Sequence, residues 1–503
     1  MSHLLKKNKL TLKTIRIFFF IFILITISSG AYYYTGNKII FLIFGLLSNL
    51  IFLFCFSKKT YFFEIFFGGL LWLGFWYKFL IIIIFDNYQF KEGAGNFVHL
   101  SYDNKIQVLD NSLISACYGL AGFLLACLIK NTLLNNFYSI KKNVQKNNKF
   151  LNIKFLIFIL LIFVVTYLIV TYSNFYFGIY QRGILPTYNV HFAISAIYKW
   201  LLLFGFSTFI AFIFILAFQS RSKIYLLSII SVAETFITNL SFLSRGMIFN
   251  LFAIFIGLYK SNKFYNLKLN IRFFLIYLLS IMCFFYLCVI SVNYLRANIF
   301  FVKTIPQTED IVDNQTEDIF EKPVYTKKYN TNKKAFVEFL SLSKTRWVGI
   351  DALVAVQAFN GKSFNFFKQS FNDKFDKNEF PFYEKNVQQR SKVPKHVPTT
   401  TLAKKTIQYG ITTPGILAFL YYTGSNIFVF FIIFLISILI LTFEKFIFII
   451  FNNPILCSIL SQVLAYRLIH FGYMPQNTYM LLTSILLTII GLFLIKKLLN
   501  NKA

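Results

Sequence analysis

The sequence predicts an all-α polytopic membrane protein, and three observations carry that reading. The 503-residue chain is 57% hydrophobic and only 14% charged, with a mean hydropathy of +0.64. Its apolar runs are continuous, and many approach or exceed the roughly 18–20 residues that span a bilayer as a helix. A β-barrel would show alternating residues instead. Its lysines fall in alternate loops. The formal net charge of +31 would point to nucleic acid in a soluble chain. Here lysine-rich cytoplasmic loops explain it, so the expected surroundings are the lipid bilayer, with no nucleic-acid partner.

The runs place spans near 17–36, 38–57, 62–85, 110–130, 153–173, 197–218, 224–243, 246–260, 273–293, 414–443, 446–466 and 477–496. The first follows the basic stretch Lys6 to Arg16 and has the look of a signal peptide. No clean small-x-small cleavage site follows it and more spans come directly after, so it is read as a span. The run at 246–260 is short. The run at 414–443 is long enough to hold a half-helix before the span itself. Twelve spans put both termini on one side. Segments on that side, with adjoining span ends, carry 20 Lys and 3 Arg, whereas the short loops opposite carry 4 Lys and 3 Arg. This positive-inside asymmetry places both termini in the cytoplasm.

The organisation that follows is an N-terminal membrane domain of about nine spans (1–293), a long outer loop (294–410) and a C-terminal membrane domain of about three spans (411–503). The loop is periplasmic if the cell is Gram-negative. It holds 12 of the 19 acidic residues and 19 of the 50 basic ones. Loops this long without structure of their own are uncommon and usually functional or disordered. Within it, "KKAFVEFLSLSKTRWVGIDALVAVQAFN" (333–360) has apolar residues at helical spacing. It predicts two short helices with a break near Ser343, stopped by Gly361.

The six cysteines lie in or beside apolar runs without metal-ligand spacing, which predicts no disulfide, no metal and no cofactor. The arginines are more informative. Only nine basic residues are Arg, and six of them, Arg182, Arg245, Arg296, Arg346, Arg390 and Arg467, fall on the outer side, against the usual bias. Arg presents a planar fork of donors that grips phosphate or carboxylate, whereas Lys is a point charge. A lysine-rich chain with its Arg on the outer face points to an anionic ligand there. Each also has a plainer reading. Arg245, in "SFLSRGMIFN", can snorkel at the membrane edge; Arg182 can be a turn residue; Arg296 can anchor a helix end. Arg346 can pair with Asp351, Arg390 can be a solvated charge, and Arg467 with His470 can form an interfacial belt with Tyr466 and Tyr473. His396, just before the chain re-enters the membrane, is the best-placed general base, against a solvated loop histidine. Glu234 lies well inside a span, where acids are usually paired or functional, with Lys199 or Lys78 as candidate partners.

Taken together, these features resemble the O-antigen polymerase (Wzy-type) and ligase superfamily: many spans, "LSRG" at an outer hairpin, a long late outer loop, and the re-entry "TTPGILAFLYYTGS" (412–425). "SKTRWVGIDALVAV" (343–356) is similar to a loop motif of oligosaccharide repeat-unit polymerases. The resemblance covers the topology of the whole chain and, at motif level, roughly residues 240–425. It implies a GT-C-like, metal-independent glycosyltransferase acting on undecaprenyl-diphosphate-linked glycans, with a chain-length regulator protein as a further partner. Arg245 would bind the diphosphate, joined by Arg182, Arg346, Arg467 and His470, and His396 would be the base. The local sequence around His396 departs from that of the ligases' loop histidine.

Polymerisation of repeat units for O-antigen or a related surface polysaccharide is favoured by the "RWVGID" stretch and the re-entry. The alternatives are an O-antigen ligase acting on lipid A core and, from another class, a lipid-linked oligosaccharide flippase. Against a flippase stand the long outer loop and the lack of an internal repeat. A metal-dependent GT-C transferase would carry acids in its first outer loop, and "GNK" (36–38) has none.

Overall fold

A computed structural model describes residues 20–55, 60–86, 88, 90, 95–134, 153–182, 188, 190–218, 220–300, 346–373, 381–389, 413–472 and 475–501. Helices and no strand occur among them. In chain order they are α1 (Phe20–Tyr33), α2 (Lys38–Cys55), α3 (Phe62–Ile84), α4 (Tyr102–Leu134), α5 (Ile153–Phe177), α6 (192–217), α7 (Arg221–Phe242), α8 (Ile248–Tyr265) and α9 (Ile271–Phe300). The stretch between α9 and the last helices contributes α10 (Ile350–Ala358), α11 (Phe364–Ser370) and α12 (Phe382–Asn386). Then come α13 (Gly415–Leu420), α14 (Asn426–Phe451), α15 (Pro454–Ile469) and α16 (Gln476–Asn501). A helix lies over each of the twelve apolar runs. Among the described residues nine are long and apolar enough to cross a bilayer, as in a polytopic membrane protein, while α1 and α15 are shorter.

Two apolar clusters share α14 and α15. One packs α1 to α4 with α10, α13 and the first part of α14; the other packs α5 to α9 with α15, α16 and the rest of α14. α15 is buried along most of its length and touches both. Its start is set by Asn453, whose Oδ1 accepts from the N–H groups of Ile455 (3.0 Å) and Leu456 (3.2 Å), with Pro454 as the first helical residue. Close approach to α8 depends on small residues. A Cβ on Gly257 would lie 2.7 Å from the Ile455 Cα, and Ser458 Oγ donates to Ala253 O at 2.7 Å. Such contacts replace the hydrophobic drive that helices lack in lipid.

Two boundaries differ from expectation. Glu444 and Lys445, read as a cytoplasmic loop, lie inside α14, and the chain turns at Asn452–Asn453 instead. The reason is that Glu444 is buried and accepts from the N–H groups of Phe62 and Phe63 (2.8 Å each) and from Ser461 Oγ (2.9 Å). The run from 414 does divide as expected, into the half-helix α13 and the long α14, at Gly424 in the left-handed region (φ +74°).

The segment that begins at Arg346 is inserted into the bundle. α10 packs against α4, and Asp351 forms a buried ion pair with Lys78 of α3, whose Nζ also donates to Trp347 O at 2.9 Å. This corrects the expected Arg346–Asp351 pairing and accounts for Lys78 inside a span. Of the two helices expected in 333–360, α10 is the second; the first falls on residues outside those described. Gly74 makes the insertion sterically feasible, because a Cβ there would lie 2.1 Å from Val348 O.

Removing one partner of a buried pair strands the other charge. Lys78→Met or Asp351→Asn is therefore expected to destabilise the protein by about 3–5 kcal/mol. Combining Lys78→Met with Asp351→Leu should recover most of that loss. Thermal unfolding in detergent checks both.

Candidate functional site: an arginine cluster at one end of the bundle

The site is built from the loops that close one end of the bundle. After α5 the chain reverses at Gly178 (φ +58°). Asn174 holds the reversal: its Nδ2 donates to Tyr180 O (3.1 Å), Ser241 O and Ser241 Oγ (3.0 Å each), and its Oδ1 accepts from Tyr180 N–H (2.8 Å). The Arg182 N–H then donates to Phe242 O at 3.0 Å, which fixes this loop on the end of α7.

The α7–α8 turn carries Arg245. Leu243 adopts a left-handed conformation (φ +50°) and ends α7. Ser244 N–H donates to Asn239 O (3.0 Å), Gly246 N–H to Ser244 Oγ (3.1 Å) and Met247 N–H to Asn239 Oδ1 (3.1 Å). A Cβ on Gly246 would lie 2.8 Å from Arg182 Nη1, so the guanidinium of Arg182 occupies the place a side chain would take. Arg296, from the last turns of α9, spans both loops: its Nε donates to Leu243 O (2.8 Å) and its Nη2 to Arg182 O (3.0 Å). The fork geometry of Arg is what permits this double hold.

The end of α15 completes the group. Tyr466 presents its ring to the Arg182 guanidinium, 5.4 Å from Cζ to centroid, and stacks on His470 at 4.1 Å. Arg467 Nε donates to Thr478 Oγ1 of α16 at 3.1 Å. Lys199 Nζ lies 5.3 Å from the Tyr180 ring centre. Arg346 is exposed at the start of the inserted segment. The charges acting on Arg296 and His470 come from Arg182, Arg245, Arg346 and Arg467, the groups acting on Arg182 are Tyr466 and Tyr180, and no carboxylate among the described residues contributes. No three of His, Cys, Asp and Glu gather there into a group that could ligate a metal ion.

The structure therefore brings together Arg182, Arg245, Arg346, Arg467 and His470, which the sequence singled out separately. Arg296, expected to be no more than a helix anchor, is the clamp between two of the loops. Tyr466 was expected only in an interfacial belt and Lys199 only as a partner of Glu234; their places beside Arg182 and Tyr180 were not anticipated, since one Tyr among 30 or one Lys in a lysine-rich chain carries little signal. Arg390, His396 and Tyr473 lie outside the described residues. Glu234 is paired with neither Lys199 nor Lys78; its carboxylate faces hydroxyl groups.

Like charges held together in a partly dry environment repel strongly. Carbonyls, a hydroxyl and aromatic rings orient these guanidinium groups and offset some of that cost. An anion with several oxygens would relieve more of it, through charge-assisted and bidentate hydrogen bonds. The arrangement is suited to a phosphate or diphosphate group.

His470 reports on the same field. Burial first, then the charge of Arg182, with smaller contributions from Arg467 and Arg346, pushes its pKa down to about 3, against a partly compensating hydrogen bond to Tyr466 O. The unfolded chain takes up this proton near pH 6.5, while the folded protein does so only near 3. Stability from this group is thus complete above about pH 6.5 and falls as the pH drops towards 3. His470→Gln should flatten that part of the stability–pH curve, measured by thermal unfolding from pH 7 to 4.

Comparison with protein-family models, with curated proteins and with solved structures gives no match to this chain.

Proposed function

We propose that the protein is a membrane glycosyltransferase that polymerises undecaprenyl-diphosphate-linked oligosaccharide repeat units into O-antigen or a related surface polysaccharide. The observation that supports this reading most is the gathering of Arg182, Arg245, Arg296, Arg346 and Arg467 from separate segments at one end of a lysine-rich bundle. In this reading the chain has twelve spans in a GT-C-like arrangement in the bacterial inner membrane. Both termini are cytoplasmic and the arginine end is outermost, at the depth of a lipid diphosphate.

The chemistry asked of the site is simple. The bond between the anomeric carbon of the donor glycan and the diphosphate oxygen breaks, and the electron pair leaves with the diphosphate. The acceptor hydroxyl oxygen of a second lipid-linked repeat forms the new bond and gives up its proton. Arg245, Arg182, Arg346 and Arg467 receive the developing negative charge, with Arg182 already oriented by the Tyr466 ring and Arg467 by the Thr478 hydroxyl, which limits the reorganisation needed as the bond breaks. Arg296 positions the two loops that carry Arg182 and Arg245. His470, uncharged at neutral pH, serves as a hydrogen-bonding group rather than a base, and His396 is assigned the proton. The arginines supply charge without a metal ion. A chain-length regulator is the protein partner this reading expects.

A gel of cell-surface glycolipid tests the reading in a strain lacking the gene, beside its complemented parent. Collapse of the ladder to core plus a single repeat is the expected result. Bare core with accumulated lipid-linked polymer would instead identify a ligase, and lipid-linked repeats held on the cytoplasmic side a transporter. In the complemented strain Arg245→Ala should lower polymer yield by roughly 10²-fold, the cost of removing one charge-stabilising donor. Full length and yield from Arg245→Ala would remove Arg245 from the site.

A further inference from the structure

The end of the bundle opposite the arginine site carries a second concentration of positive charge. α7 and α9 both start there, and α8 finishes there. Arg221 and Lys223 stand in the first turn of α7 and Arg272 in that of α9. Lys263 is in the last turn of α8, and Lys268 is in the turn between α8 and α9. All five are exposed except Lys223, which is half-buried. Arg221, Lys223, Lys268 and Arg272 form no ion pair among the described residues. Acids are also missing from the neighbouring sequence. Between residues 111 and 308 the one acid is Glu234. It lies within α7, thirteen residues after Arg221, or roughly 20 Å along the helix axis. The acids near the start of α3 are buried and engaged: Glu64 with Lys130, and Glu444 with the Phe62 and Phe63 N–H groups.

The fold holds these cations in place. Asn262 clamps the α8–α9 turn: its Nδ2 donates to Leu269 O (3.2 Å) and its Oδ1 accepts from Leu269 N–H (3.0 Å). Asn266 (φ +52°) and Lys268 (φ +55°) take left-handed conformations, which are uncommon for a residue such as lysine. The turn thereby buries Leu267 and Leu269 and leaves Lys268 exposed. Below the charges α7 and α9 lie side by side. The Tyr225 and Phe273 rings are 4.8 Å apart, Ser231 Oγ and Tyr277 OH share a hydrogen bond of 2.7 Å, and Phe236 meets Phe284 at 5.8 Å. On the other flank of α9, Lys263 Nζ lies 4.3 Å from the Tyr259 ring centre, and that ring meets Phe274 edge-on at 5.3 Å. The outward faces are apolar. Leu226 and Ile229 of α7 and Ile276 and Leu279 of α9 are exposed.

We propose that this face binds an anionic phospholipid of the adjoining leaflet, with its phosphate between the starts of α7 and α9. Two features select that occupant. Cations gathered from three segments repel one another, and an anion relieves the repulsion. Arg221 and Arg272 can grip phosphate oxygens in bidentate fashion. The charges also stand directly above exposed apolar faces of two helices long enough to span a bilayer. A ligand that meets both must carry its phosphate next to acyl chains. Free phosphate, a nucleotide or an acidic protein would meet the charge alone. Basic pockets between spanning helices recognise lipid headgroups in this manner. Tyr225, exposed one turn below Arg221, stands at the depth where tyrosine favours the interface. A charge bias that only orients the chain in the membrane needs no fixed geometry, whereas here a clamped turn and two packed helices set the positions. This inference does not depend on which reaction the arginine end performs.

The test is thermal unfolding of the full-length protein in detergent with added dioleoylphosphatidylglycerol, dioleoylphosphatidylcholine or inorganic phosphate. Phosphatidylglycerol should raise the melting temperature by about 2 °C or more, saturably, and the other two should not. The Arg221→Gln, Arg272→Gln double variant should need roughly tenfold or more phosphatidylglycerol for the same rise, since each cation near an anionic lipid contributes roughly fivefold. Arg182→Ala with Arg467→Ala, at the other end, should keep the wild-type rise. Lys268→Asn decides the matter if the double variant does not fold; asparagine accepts the left-handed backbone, and this variant should need several-fold more lipid. An equal rise with phosphatidylcholine overturns the proposal, as does an equal rise with inorganic phosphate, which would assign an anion without acyl chains. A rise that survives Arg221→Gln, Arg272→Gln unchanged, or one lost only in the Arg182→Ala, Arg467→Ala variant, overturns it equally.

Discussion

A charge inside a bilayer must find its partner within the protein, and the placement of those partners decides how this bundle closes. At one end the solution is mutual neutralisation around the start of α3. Glu444 of α14 caps the N–H groups of Phe62 and Phe63, where a carboxylate also meets the positive end of the helix dipole. Glu64 takes Lys130 of α4, and Lys260 of α8 reaches Thr60 O. Three helices, α4, α8 and α14, are tied to one helix start by groups that cannot be left to lipid. Further along α3, Lys78 does the same for the inserted segment through Asp351.

The arginine end follows the opposite logic. There the cations are oriented by neutral groups: Arg296 by two carbonyls, Arg182 by the Tyr466 ring, Arg467 by a threonine hydroxyl. The bundle thus spends its acids where charge is to be silenced and keeps positive charge concentrated where the loops converge. The low pKa of His470 is a consequence of that field and of burial. The same economy isolates Glu234, whose carboxylate accepts from buried hydroxyls and meets no cation among the described residues.

Much of this was legible in the sequence. Continuous apolar runs fixed where helices form, because in lipid only a helix satisfies its own backbone. The scarcity of Arg in a lysine-rich chain marked Arg182, Arg245, Arg346 and Arg467 before any contact was known. What could not be read was partnership. The Lys78–Asp351 pair joins residues 273 positions apart, and no periodicity announces it. Glu444 and Lys445 looked like a loop because two adjacent charges usually mark one. Only the packed helix start at Phe62 explains a carboxylate inside α14. Arg296 looked like a helix anchor because its two acceptors, Leu243 O and Arg182 O, are backbone atoms that side-chain chemistry does not reveal.

The central claim is that the arginines are assembled to bind a multiply charged anion. Calorimetric titration of the full-length protein in detergent with inorganic pyrophosphate tests it most directly. Saturable binding that weakens by more than tenfold in an Arg182→Ala, Arg467→Ala double variant, and falls with added salt, is the predicted result. No binding by the wild-type protein, or equal binding by the double variant, would contradict it.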